Sequence, residues 1–225
     1  MSWFSQVFPL IRKEVELEYR NKYALGGNLL YIASSVFVVY YALFLQGGKG
    51  DLSSAVWNVL FWLIILFGAA NAVAKSFFQE GSARQLYLYT LVDPKAIIFS
   101  KLIYNQGLML VLGALTLVLF VVMIGSPIQQ LWIFLLTLFL AASSFSYIFT
   151  LISAIASKAN NNATLMAVLG FPLMMPLIVF MTKLSEEAYR NFESPDLWKV
   201  AFMLLAFNII LVILSLVLFP YIWRD

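Results

Sequence analysis

Neither cysteine nor histidine occurs anywhere in the 225 residues. Without thiols there are no disulfides and no thiol chemistry; without imidazole the commonest ligand of metals and haem iron is gone. Charge is scarce as well. Only 11% of residues are charged and 63% are hydrophobic, against about 25% charged in soluble domains. No soluble core of this size hides so much apolar surface, so the chain reads as an integral membrane protein. Its formal net charge of +3 is small and scattered, which speaks against a nucleic-acid surface. Also missing are an HExxH pair, a Gly-rich phosphate loop ending in Gly-Lys-Ser/Thr, and paired carboxylates within an apolar run. The chain is therefore not expected to be an enzyme, and any ATP hydrolysis that energises it must come from another subunit. The first long apolar run has no cleavage site after it and reads as an anchor rather than a signal peptide.

What is present is a succession of long uncharged runs. Residues 23–48, 52–74 and 102–157 carry no charge. The last run is too long for one crossing and suits two joined by a tight turn, with Gly125-Ser126-Pro127 as the natural break. The pattern predicts an all-α fold of six transmembrane helices at about 29–45, 52–74, 105–124, 131–153, 163–181 and 199–221. Together they make a membrane domain over 23–225. Before it, residues 1–22 place Trp3, Phe4, Val7, Phe8, Ile11, Val15 and Tyr19 at helical spacing, opposite Arg12, Lys13, Glu14, Glu16 and Glu18. That is the pattern of an amphipathic helix lying at the membrane interface.

Six crossings put both termini on one side, and the cations choose which. With the termini inside, Arg12, Lys13, Arg20, Lys22, Lys75, Arg84, Lys95, Lys101, Lys158 and Arg224 are cytoplasmic, while Lys49, Lys183, Arg190 and Lys199 are outside. The excess predicts cytoplasmic termini.

Three features stand out against this background. The first is the long polar interruption 75–101, which the charge rule makes a cytoplasmic loop. It has a sticky side (Phe77, Phe78, Leu86, Tyr87, Leu88, Tyr89, Leu91) and a break at Gly81-Ser82. At its end, Asp93 before Pro94 reads as the cap of the helix entering the third span. The loop is either a surface helix that completes the connection or a docking element for a cytoplasmic partner. The second feature is a small and hydroxylated run in the fourth span, Ser143, Ser144, Ser146, Thr150 and Ser153, which predicts close helix packing. The third is the fifth span, where Gly170, Pro172 and Pro176 interrupt the helical donor pattern. Freed carbonyls in lipid need partners, so this span is expected to be buried or to line a cavity, as a packing kink or as a gate. Apart from Lys199 at the edge of the sixth, the six apolar spans hold no charged residue. That argues against a proton relay or a charged-substrate site at mid-membrane.

The whole chain resembles the CcmB family, the haem exporter protein B of cytochrome c maturation. The resemblance rests on the six-span layout, on RKEVELEYR before the first span, on FFQEGSARQLYLYTLVDPKAIIFSK in the long loop, and on LGFPLMMPLIVF in the fifth span. It implies an ABC-2 type permease fold in the bacterial inner (cytoplasmic) membrane. It also implies a hetero-oligomer with a cytoplasmic ATPase subunit, with other cytochrome c maturation membrane subunits, and with a periplasmic haem chaperone. Glu80, Gly81, Ser82, Gln85 and Leu86 match the loop motif that meets the ATPase in such proteins, and Pro172 and Pro176 match the double-proline motif. Arg84 departs from the pattern, standing where the family often has an acidic residue. Haem is implied as a handled or transported substrate, with no stably bound cofactor and no metal site in this chain. Two other readings stay open: an ABC-2 type permease for another lipid-like or amphiphilic substrate, and a non-transporting membrane scaffold.

Overall fold

The computed structural model describes residues 3–20, 22–45, 52–73, 76–77, 92–157, 162–190 and 195–224. Among them are seven α-helices and no strand: α1 (Trp3–Arg20), α2 (Lys22–Leu45), α3 (Ser54–Val73), α4 (Pro94–Met123), α5 (Leu131–Ala156), α6 (Asn162–Glu187) and α7 (Leu197–Arg224). Six of them, α2 to α7, are long and apolar enough to cross a membrane. The protein is an all-helical, multi-pass membrane protein.

Helix α5 is the central post. It packs against α3, α4, α6 and α7, and most of its length is buried. Its small residues allow this: Ala141, Ala142, Ser143, Ser144 and Ser146 let neighbouring backbones come close. Gly113 of α4 serves the same purpose, since a Cβ there would stand 2.9 Å from Leu138 Cδ1. Helix α2 is the opposite case. Of its described side chains only Asn28, Ile32 and Val36 are buried, a single stripe at four-residue spacing, while Leu30, Phe37, Val38 and Phe44 face outward. An apolar outer surface of this kind is what a lipid solvent permits.

The two ends of the bundle are built differently. At the end that carries both termini, Val7 and Leu10 of α1 pack with Phe77, Ile98, Leu102, Ala154, Phe219 and Trp223. At the opposite end, Trp57 stacks on Phe61 at 5.2 Å and meets Phe120, Phe134 and Tyr189 edge-on. Trp57 Nε1 donates to the Gly125 carbonyl at 2.9 Å, and the Gln129 and Gln130 amides donate to the Ala188 carbonyl. Gly125 turns the chain with φ +101°, a conformation that side chains bearing a Cβ rarely adopt.

Helix α4 begins eleven residues before the apolar core of 105–124 read from the sequence. Asp93 caps it: its carboxylate accepts from the Lys95 amide at 2.8 Å, and Pro94 occupies the first turn. The earlier start has a consequence. Lys101 now lies two turns inside a membrane-crossing helix, only 1% exposed, so the expectation of spans without charged residues in their interior is corrected.

Candidate functional site

The segment 75–101 is described at its two ends. Glu80, Gly81, Ser82, Arg84, Gln85 and Leu86 lie outside the described residues, as do Phe78 and 87–91. Both ends are pinned, and α1 takes part in each.

At the entry, Ser76 turns back from α3, its amide donating to the Val73 carbonyl at 2.9 Å. The Ser76 carbonyl accepts from Lys101 Nζ at 2.9 Å, and the Ser76 hydroxyl accepts from Asn105 Nδ2 at 3.2 Å. Asn105 also donates to Thr150 Oγ1 of α5 at 2.8 Å. Phe77 follows with its ring fully buried and its amide donating to Ser153 Oγ at 3.3 Å. Lys101 Nζ stands 4.9 Å from the centre of that ring, a cation–π contact strengthened by the lack of water. Phe219 packs against the same ring, with the ring centres 5.4 Å apart.

The second charge comes from α1. Glu14 Oε1 lies 3.2 Å from Lys101 Nζ and 3.2 Å from Lys13 Nζ. At the exit of the segment, the Asp93 amide donates to Gln6 Oε1 at 3.0 Å. Farther along α1, Glu18 hydrogen-bonds Tyr104. Burial and then the neighbouring Glu14 charge push the Glu18 carboxyl upward, and the Tyr104 bond partly offsets them.

This changes the reading of α1. The side that meets the bundle joins Trp3, Val7 and Ile11 of the expected apolar stripe to Leu10, Glu14 and Glu18, the two carboxylates having been expected on the charged side. Phe4, Phe8, Val15 and Tyr19 face outward instead. The helix therefore has three sides: one for the bundle, one apolar and outward, and one charged with an Arg12–Glu16 pair at 2.9 Å. Two apolar directions on one helix cannot be separated by hydrophobic periodicity. The signal that could have found the joint was the spacing of Val7, Leu10, Glu14 and Glu18, set beside one lysine in the apolar run IIFSKLIY.

The fifth span also differs from expectation. Helix α6 runs unbroken through both prolines. Gly170 faces inward, where a Cβ would sit 3.5 Å from Ile152 Cδ1 of α5. Pro172 and Pro176 face outward with Val168, Phe171, Met175 and Val179, so they are not buried within the described chain. Their spacing of four puts both rings on one helix face, and the close approach of α5 at Gly170 takes the other.

The hydroxylated run of α5 is a packing seam. Gln106 donates to Ser143 Oγ at 2.8 Å and accepts from Tyr147 at 2.9 Å. Asn208 of α7 accepts from Ser144 at 2.6 Å and donates to the Leu140 carbonyl at 3.0 Å. A groove of about 270 Å³ opens beside this seam, lined by Gln106, Phe139, Ser143, Tyr147, Asn208 and Val212. A larger one of about 460 Å³ lies at the opposite end, where Lys183, Glu186, Asp196 and Lys199 surround Phe180 and Leu197. The hydrogen bond from Lys199, and then its charge, hold the Asp196 carboxyl below its ordinary range.

The sequence model of the CcmB protein family matches residues 5–222, nearly the whole chain. The chain belongs to that family. No curated protein matches it. CcmB membership makes the protein a transporter permease rather than an enzyme, of the kind that serves haem transport and c-type cytochrome biogenesis. In this CcmB chain, the pinned ends of the 75–101 segment and the proline-bearing face of α6 are the two candidate working parts.

Proposed function

We propose that this chain is the membrane subunit of an ABC-type complex in the bacterial inner membrane, with both termini in the cytoplasm. A separate ATPase drives it through the segment 75–101, and the complex acts in haem delivery or export for c-type cytochrome maturation. The observation that carries this reading is the double pinning of the segment. Its entry is tied to α4 and α5 through Ser76 and Phe77, and its exit to α1 through Asp93 and Gln6. A loop that only joined two spans would not require a buried lysine at its root.

Within this reading, Glu80, Gly81, Ser82, Arg84, Gln85 and Leu86 form the ATPase-coupling contact. Gly170, Pro172 and Pro176 mark α6 as the gating span. Each proline removes the donor that would satisfy the carbonyl four residues earlier, at Val168 and Pro172 on the outward face. Such carbonyls are costly against lipid, which supports a hetero-oligomer whose other membrane subunits cover this stripe. The haem-handling subunits of cytochrome c maturation are the partners proposed, with the periplasmic chaperone on the far side. Haem is then a substrate of the assembly and not a resident of this chain.

The test is purification from native membranes together with a cytochrome assay of the deletion strain. The reading requires a co-purifying ATPase and loss of c-type cytochromes. It also requires that Glu80→Lys weakens ATPase recovery while membrane insertion stays normal. Normal cytochromes in the deletion would favour a second reading, export of another amphiphile. The mostly apolar groove beside Gln106 and Asn208 supports that alternative.

A further inference from the structure

We propose that Lys101 is the positioning residue of a transmission joint, with Glu14 as its counter-charge. The joint makes the entry of the 75–101 segment move as one piece with α1 and α4. This rests on the proposed coupling of the chain to a separate ATPase, and it names the residues through which that coupling reaches the spans.

The geometry has three parts. Lys101 is almost wholly buried, and its ammonium meets groups from two other elements: Glu14 of α1 at 3.2 Å and the Ser76 carbonyl at the exit of α3 at 2.9 Å. One turn farther along α4, Asn105 holds the Ser76 hydroxyl and passes the contact to Thr150 of α5. Phe77 is caught between the ammonium, Ser153 and Phe219. A displacement of the segment at Ser76 therefore either carries α4 with it or breaks a charged hydrogen bond where little water can replace it.

A buried ion pair is a poor device for stability alone. Apolar residues of like volume often serve as well or better, whereas removing one partner is costly. What the pair supplies is direction. An ammonium offers three donors, and here two of them join elements that apolar packing would leave free to slide. Glu14 keeps Lys13 as a second cation at 3.2 Å, so losing Lys101 does not strand the carboxylate. The joint is thus separable from the fold.

The experiment uses the complex purified in lipid with its co-purifying ATPase, and compares wild type, Lys101→Met, Lys101→Arg and Glu14→Gln. Three quantities are read: ATPase recovered per chain, ATP hydrolysed, and c-type cytochrome matured per ATP. Lys101→Met is expected to keep ATPase recovery and hydrolysis but to lower cytochrome per ATP by about tenfold, within the range of coupling between linked sites. Lys101→Arg should restore most of it. Glu14→Gln, which spares the Ser76 bond and is the milder change for folding, should lower it by less. Wild-type cytochrome per ATP in both Lys101→Met and Glu14→Gln overturns the joint. Loss of ATPase recovery in Glu14→Gln also overturns it, because the pair would then serve docking and not transmission. If no ATPase accompanies even the wild-type chain, the underlying reading fails, and the joint with it.

Discussion

The two ends of the bundle hold together by different physics. The end with the termini is fastened by a buried charge, single hydrogen bonds from separate elements, and an amphipathic helix laid along α4. The opposite end has at its core an aromatic lock of Trp57, Phe61, Phe120 and Phe134, closed by a glycine turn and uncharged hydrogen bonds, with its charged residues at the rim. Interlocked aromatic rings hold through a large buried area and preferred stacked and edge-on geometries, so they suit a fixed pivot. A charged joint is strong at one geometry and weak at others, so it suits a part that switches between positions. On the proposed coupling, the lock would be the fulcrum and the end beside α1 the driven one.

The largest effect should come from the lock. Trp57→Ala removes a fully buried ring and the bond to Gly125, and large aromatic deletions of this kind cost about 3–5 kcal/mol. Thermal unfolding in detergent should show it. A loss no larger than that of a surface mutation would deny the lock its role. Lys101→Met comes next. Because Lys13 still neutralises Glu14, its cost should fall below the 3–5 kcal/mol of an orphaned buried pair, at about 2 kcal/mol. Its effect should also shrink when Glu14→Gln is already present. Full additivity in that double-mutant cycle would mean the two residues do not form one joint.

Gly125→Ala should cost about 1–2 kcal/mol, since a Cβ at positive φ is strained even where space is open. The loss should be non-additive with Trp57→Ala, whose indole bonds the same turn.

The smallest effect is pH-dependent. The Glu18 carboxyl is raised by burial first and by Glu14 second. The docked α1 then binds a proton more tightly than the undocked helix. Docking is strongest below the ordinary carboxyl value of 4.5 and weakens as pH rises through the raised value. Labelling of a single cysteine at Leu10, clean in a chain without native cysteines, should quicken as pH rises through that window. Glu18→Gln should flatten the profile, and an unchanged profile in that variant would assign the dependence to another group.

Much of the fold was legible because lipid enforces simple rules. Uncharged runs gave six crossing helices, Asp93-Pro94 gave the start of α4, and Gly125 gave the turn. The hydroxylated seam of α5 was legible too, because small polar residues at helical spacing have few uses in a bundle. The joint was not. Glu14 and Lys101 are far apart in the chain, and each alone reads as an ordinary interfacial charge. Taking 105 as the start of the third span, although the cap at Asp93 implied an earlier one, hid Lys101 among the loop cations. The outward direction of Pro172 and Pro176 was also out of reach. Spacing shows that they share a face, while only the approach of α5 at Gly170 says which face it is.

The central claim is that the driven end is the one where the 75–101 segment is pinned, and that a separate ATPase meets it there. Site-directed photo-crosslinking in native membranes tests this most directly, with the probe at Gln85 in the segment and, for comparison, at Gln129 in the turn of the aromatic lock. The account predicts capture of the ATPase from Gln85 and none from Gln129. Capture from Gln129, or no capture from any position between 80 and 86, would contradict it.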